Sequence, residues 1–168
     1  MDEVWQERLL ERLSQSDALG AETVRYICDN KVQIRFRKHS KSIGARWFLF
    51  RNISLNRRYY STESSLDDPK LLSLLVHEVH HLKQGARVAF SVYGELDAWQ
   101  VEYRFYKRIH PSKLHVALEE ILSLPLNFDC NNLTHAAELM QGYAGKNYRV
   151  TWMPLRPIGD WPKSKGFD

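Results

Sequence analysis

Five consecutive residues, His77-Glu78-Val79-His80-His81, match the pattern H-E-x-x-H. Helical positions four apart share a face, so His77 and His81 can turn their imidazoles to one ion. Glu78 follows the first histidine directly, which sets its carboxylate beside such an ion, where it can polarise a bound water rather than ligate. The motif offers two metal ligands and a base. The alternative is a helix whose histidines are satisfied by hydrogen bonds.

The helix that must carry these residues is expected over 68–84. Asp67 or Asp68 can cap its amino end, Pro69 suits the first helical position, and Gly85 suits the carboxyl end. Leu71, Leu72, Leu74, Leu75, Val76, Val79 and Leu82 make it apolar around most of its circumference, as in a core helix. Such a helix rarely carries three histidines and a glutamate without a reason. His80 points about 60° from His77 and reads as a core group or a group behind the ligands.

A catalytic zinc site takes three protein ligands and leaves one position open. Downstream candidates for the third are Glu95, Asp97, Glu102 and His110. Glu95 is favoured because it lies near the start of the next helix, after a connector long enough to turn the chain back, and Ala98 one turn later lets two helices approach closely. Asp97 is the second choice, or else the carboxylate that accepts a proton from a liganding imidazole. Taken alone, these acidic residues would be an ordinary charged helix face.

The other elements follow from periodicity and breakers. Residues 1–30 read as helices, over Val4 to Ser14 and Ala21 to Cys28, with Leu19-Gly20 as the break. Residues 32–62 read as a sheet: Val32 to Arg37 alternates, Ala45 to Leu55 forms one or two strands broken near Asn52, and Arg58 to Thr62 continues it. Ala86 to Ser91 is a connector. Residues 92–142 read as a helical part, with helices over Val92 to Ile109, Ser112 to Leu122 and Leu133 to Met140. Residues 143–168, with their prolines and scattered aromatics, read as an extended tail that wraps the body.

The chain has 168 residues, 43% of them hydrophobic, which favours one domain with a sizeable core. It has no run of about 18 apolar residues, and its start lacks the order of a secretory signal, so a cytoplasmic protein is expected. Two cysteines, Cys28 and Cys130, in no C-x-x-C arrangement, exclude a disulfide framework or zinc knuckle and are expected to be buried thiols. From Lys31 to Tyr60 there are nine Lys or Arg and no Asp or Glu, mixed with aromatics. That stretch reads as the solvated face of a sheet, with a nucleic-acid or acidic-protein interface as the alternative.

His77-Glu78-Val79-His80-His81 followed by Glu95-Leu96-Asp97-Ala98-Trp99, between a short sheet and a helical part, resembles the gluzincin metallopeptidases. It is most similar to their small single-domain members, the minigluzincins. The resemblance covers about Val32 to Ile109. It implies an α+β, zincin-like fold with a short, mostly antiparallel sheet packed on the active-site helix. It also implies a zinc endopeptidase acting on peptide or protein substrates, with His77, His81 and Glu95 as Zn2+ ligands and Glu78 as general base. Metzincins would need Gly at position 84 and His at 87, where this chain has Gln84 and Arg87. Peptide deformylases take a cysteine ligand from an upstream motif, and Cys28 has no such setting. Larger gluzincins add a Tyr or His that steadies the oxyanion, for which Tyr93, Tyr103, Tyr143, Tyr148 and His135 are candidates. Minigluzincins can be latent when a terminal segment fills the cleft, a role the tail could take. An edge strand within Ala45 to Asn56 would pair the substrate. The competing reading is a non-catalytic protein- or nucleic-acid-binding module that retains a zinc site, with residues 31–60 as its interface.

Overall fold

A computed structural model describes residues 3–41, 43–48 and 52–159. Two helices come first, α1 (Glu3–Ser14) and α2 (Ala18–Asp29). Three short strands follow: β1 (Gln33–Arg37), β2 (Ala45–Phe48) and β3 (Asn52–Asn56). The motif helix α3 (Pro69–Gln84) is joined by a single turn of helix, α4 (Ala86–Ala89), to the long α5 (Val92–Ile109). Two further helices, α6 (Val116–Ser123) and α7 (Cys130–Ala144), precede a 3-10 turn at Val150–Trp152. The architecture is α+β, and among the described residues no helix is long and apolar enough to cross a membrane.

Several expected elements shift, each for a local reason. Helix α2 runs through Leu19-Gly20 because Asp17 caps it, accepting the Gly20 N–H at 2.8 Å. Gly20 is there for space: a Cβ at that position would meet the Leu13 carbonyl oxygen at 2.2 Å. Residues 58–62 form turns rather than a strand, since the Asn56 carbonyl accepts the N–H groups of Tyr59 and Tyr60 and folds the chain back. Helix α6 starts at Val116 because His115 caps it, and α7 starts at Cys130 because Asp129 accepts the Asn132 N–H. Cys28 and Cys130 are exposed rather than buried, because α2 turns Thr23 and Ile27 inward and α7 turns Leu133, Ala136 and Ala137 inward.

The sheet is mixed rather than mostly antiparallel, in the order β1-β3-β2. β2 and β3 are three residues apart, a link that can only reverse the chain, and they pair antiparallel with Trp47 opposite Ile53. β1 pairs with β3 in parallel, Ile34 beside Ile53, after the chain has crossed back through the segment before β2. The sheet turns Ile34, Ile53 and Leu55 onto α3 and the N-terminal helices, while Gln33, Arg35 and Arg37 face outward from β1. Gln33, Arg35 and Arg37 are exposed on that face.

Two apolar clusters meet along α5. One gathers α1, α2, the sheet and α3 around Leu9, Leu13, Leu71, Leu75 and Phe105. The other gathers α5, α6 and α7 around Leu96, Trp99, Ile121, Leu133 and Met140. Between them α3 and α5 pack closely over Ala98, which is fully buried. The caps of α3 match expectation: Asp68 accepts the Lys70 N–H at 2.9 Å, Pro69 opens the helix, and Gly85 at φ 72° closes it.

The start of α5 is held from three sides. Ser91 caps it by accepting the Gly94 N–H at 3.0 Å, and the tail's Pro154 and Leu155 carbonyls accept the Val92 and Tyr93 N–H groups. Gly94 lies so close to α4 that a Cβ would meet the Val88 carbonyl oxygen at 2.1 Å. Gly94→Ala must therefore push the α5 start away from α4. It is expected to cost about 1–3 kcal/mol in urea denaturation, the usual range for overpacking; an unchanged denaturation midpoint would contradict this packing.

Candidate metal centre

Glu95 lies in the first turn of α5, where the helix dipole favours a carboxylate. It faces the two motif histidines of α3. His81 Nε2 is 3.0 Å from His77 Nε2 and 3.5 Å from Glu95 Oε1, and His77 Nε2 is 4.0 Å from Glu95 Oε2. All three residues are buried, and one ligand atom from each falls within 4.8 Å of the others. Four electron-rich atoms thus converge on one point, and the group could hold a metal ion.

The other ring nitrogens show which atoms face that point. Gln84 Nε2 donates to the Gly94 carbonyl at 3.0 Å and to Asp97 Oδ2 at 2.9 Å, both pure acceptors. The Gln84 amide is thereby oriented, and its Oε1 meets His81 Nδ1 at 2.9 Å. Nδ1 of His81 must carry the hydrogen, which leaves the lone pair on Nε2. His77 Nδ1 lies 2.9 Å from Glu102 Oε2, in ion-pair contact but off the line of an ideal N–H donor. Two imidazoles held this way present Nε2 atoms to each other that only a shared proton or a cation can reconcile.

The remaining sequence candidates fall into place around this group. Asp97 touches neither His77 nor His81: it takes His80 Nε2 at 2.6 Å and the Gln84 amide, reaching His81 only through Gln84. The carboxylate against His77 is Glu102, two turns beyond Glu95 on α5. His80 stands aside from the cleft, paired with Asp97, and His110 caps the far end of α5. Sequence reading also passes over Gln84, although its position three after His81 places it on the same face.

Glu78 is buried, and burial raises its carboxyl above the usual range against the pull of His77 and His81. The Trp47 backbone N–H of β2 is hydrogen-bonded to its carboxylate, while Glu78 Oε2 has no partner. Glu78 borders a cleft of about 580 Å3 that also meets His77, His81, Glu95, the β2 residues Ala45 to Trp47, and Phe90. β2 is an outer strand, and Trp47 turns its backbone away from β3, toward the cleft.

Of the five aromatic candidates for the oxyanion, Tyr148 alone lines this cleft. Its hydroxyl donates to Glu95 Oε2 at 2.5 Å and accepts the Trp99 Nε1–H at 2.6 Å. Burial and the neighbouring Glu95 push its phenol well above the usual range, so it stays protonated and able to donate. His135 pairs with Glu120 on the surface, and Tyr103 and Tyr143 lie behind the motif helix. The described part of the tail forms one wall of the cleft through Asn147, Tyr148, Arg149 and Met153. Residues 160–168, which the expectation of a tail filling the cleft also includes, lie outside the described residues.

No protein-family model matches the chain, and no characterised protein or solved structure does.

Burial alone would lower the His77 imidazolium, but Glu102, with Glu78 and Glu95, outweighs it and raises His77 to about 9. Burial would likewise raise Glu95, but His81 and His77 hold it down to about 2. A histidine raised in the folded state adds stability that is complete below its unfolded value of about 6.5 and lost as pH rises through its folded value. The metal-free protein is therefore expected to lose stability between pH 6.5 and 9 in urea titrations, with a shallower loss in Glu102→Gln. A flat profile in the unsubstituted protein would show that His77 is not held as described.

Proposed function

We propose that the protein is a zinc-dependent metallopeptidase, with His77, His81 and Glu95 as metal ligands and Glu78 as general base. The observation that carries this reading is the pairing of a three-residue group that could hold a metal ion with a buried carboxylate, Glu78, that lines the same cleft and has one oxygen without a partner. One ligand atom each from His77, His81 and Glu95 lies within 4.8 Å of the others, close enough for a single ion to be shared among them. Two imidazoles and one carboxylate suit zinc better than calcium or magnesium, which prefer all-oxygen sites.

When bound, zinc supplies Lewis acidity, polarising a carbonyl and lowering the pKa of water toward 7. The chain's own groups do the rest. Glu78 takes the proton from the attacking water, for which its burial and raised pKa suit it, and returns the proton to the leaving amine. Tyr148, at the edge of the cleft, holds Glu95 in place through its one hydroxyl proton. β2 offers the outward backbone groups of Ala45 and the carbonyl of Trp47 to an extended peptide, the Trp47 N–H being held by Glu78. These features support a zincin-like active site built from α3, α5 and an edge strand.

Glu78→Gln preserves shape and removes the base. It is expected to retain one zinc per chain and to lose about 10²–10⁴-fold in peptide hydrolysis on a broad peptide library. Undiminished hydrolysis in this variant would overturn the mechanism. Salt-sensitive DNA binding by the metal-free protein, with no hydrolysis by the zinc form, would favour the binding-module reading and its basic β1 face.

A further inference from the structure

The sheet has two outer strands, and the cleft borders only one of them. β1 lies on the far side of β3 from β2, two strand spacings or about 10 Å away, and none of its residues lines the cleft. The Arg37 carbonyl accepts the Arg57 N–H at 2.8 Å, which fixes the phase of hydrogen bonding between β1 and β3. Gln33, Arg35 and Arg37 turn their backbone groups to β3, so Ile34 and Phe36 turn theirs to the outer edge. There the Phe36 carbonyl accepts Arg57 Nε at 3.1 Å. The Ile34 N–H and carbonyl and the Phe36 N–H have no partner among the described residues.

The side chains beside this edge are of one sign. Arg35 and Arg37 stand exposed on the outer face, about 7 Å apart by strand geometry, with Lys38 exposed just beyond them. Arg57 is held at the edge itself by its bond to the Phe36 carbonyl. Among the described residues no carboxylate pairs with Arg35, Lys38 or Arg57, and Arg35 meets only the Gln33 amide oxygen. His39 registers the same field: burial, and then Arg46 and Arg37, hold its imidazole below the usual range. On the inner face the half-buried Phe36 ring packs on Trp5 at 5.2 Å.

Positive charge along an outer strand keeps copies of a protein from pairing edge to edge. A second copy of this chain meets that obstacle, because antiparallel pairing through β1 sets arginines against arginines. The same charges favour an acidic strand. Added to β1, it would bond the open backbone groups of Ile34 and Phe36, and every second side chain would fall beside Arg35 and Arg37. The alternate side chains would fall on the inner side, where an apolar group continues the Trp5–Phe36 contact. A nucleic acid satisfies the arginines alone and leaves the backbone groups unmet. We propose that β1 is a docking edge for an extended acidic segment of a partner polypeptide, in which Asp or Glu alternates with apolar residues. It stands on the sheet, independently of the metal centre.

The test uses the metal-free full chain and fluorescein-labelled Glu-Val-Glu-Val-Glu-Val-Glu, with the Lys-Val counterpart and an oligothymidylate of equal charge as comparisons. Fluorescence polarisation is expected to show the acidic peptide binding about tenfold more tightly than either, less so as salt rises. Arg35→Glu/Arg37→Glu is expected to weaken it by a further tenfold or so. Thermal melting checks that this variant folds, and if it does not, Arg35→Gln decides through a smaller loss. In NMR hydrogen exchange, bound peptide is expected to slow the Ile34 and Phe36 amides and leave Ala45 of β2 unchanged. Binding that survives the arginine substitutions, or that protects Ala45 instead, places the peptide elsewhere and overturns the proposal. Arginine-dependent binding of peptide or oligonucleotide without protection of Ile34 and Phe36 shows attraction by charge alone and overturns it as well. No binding of any probe leaves the arginines only the role of keeping the edge unpaired, which also overturns it.

Discussion

Three carboxylates, Glu78, Glu95 and Glu102, are buried in one layer against two imidazoles, and that concentration of negative charge is the constraint around which the molecule is arranged. An ionised carboxylate taken out of water costs several kcal/mol unless positive charge or hydrogen-bond donors stand beside it. In the metal-free protein a proton on His77 partly meets the need, which is why that imidazole titrates so high. A divalent cation held by His77, His81 and Glu95 would meet it more fully.

The fold is the device that holds these groups against their mutual repulsion. α3 supplies the imidazoles and Glu78, and α5 supplies Glu95 and Glu102 from the face it turns to α3. The approach of the two helices depends on small residues, Ala98 at the crossing and Gly94 where α5 meets α4. Gln84 is wedged between Gly94 and Asp97 and converts that packing into a fixed orientation of His81. The tail closes the arrangement by holding the start of α5 and placing the Tyr148 hydroxyl on Glu95.

The motif helix was legible in the sequence because its signals are local: a capping aspartate, a first-turn proline, a terminal glycine and a four-residue histidine spacing all refer to one element. Glu95 was legible one step further out, since the length of the connector limits where the next helix can return. The roles of Gln84, Glu102 and Asp97 depend on the rotation of α5 about its axis against α3. Several acidic residues share that surface, and spacing alone does not say which one meets an imidazole. The sheet direction was lost for a similar reason, because a parallel β1–β3 pair is made by a crossing of the chain that strand periodicity does not record. Tyr148, 53 residues from Glu95, is brought in by the path of the tail, and composition had marked it only as one of several tyrosines.

The most direct measurement of the central claim is anomalous diffraction at the zinc absorption edge from crystals of the zinc-loaded protein. The expected result is a single peak within about 2.0–2.2 Å of His77 Nε2, His81 Nε2 and a Glu95 oxygen, with Gln84 still on His81 Nδ1. No peak among these residues, or one coordinated through a ring Nδ1, would contradict the account.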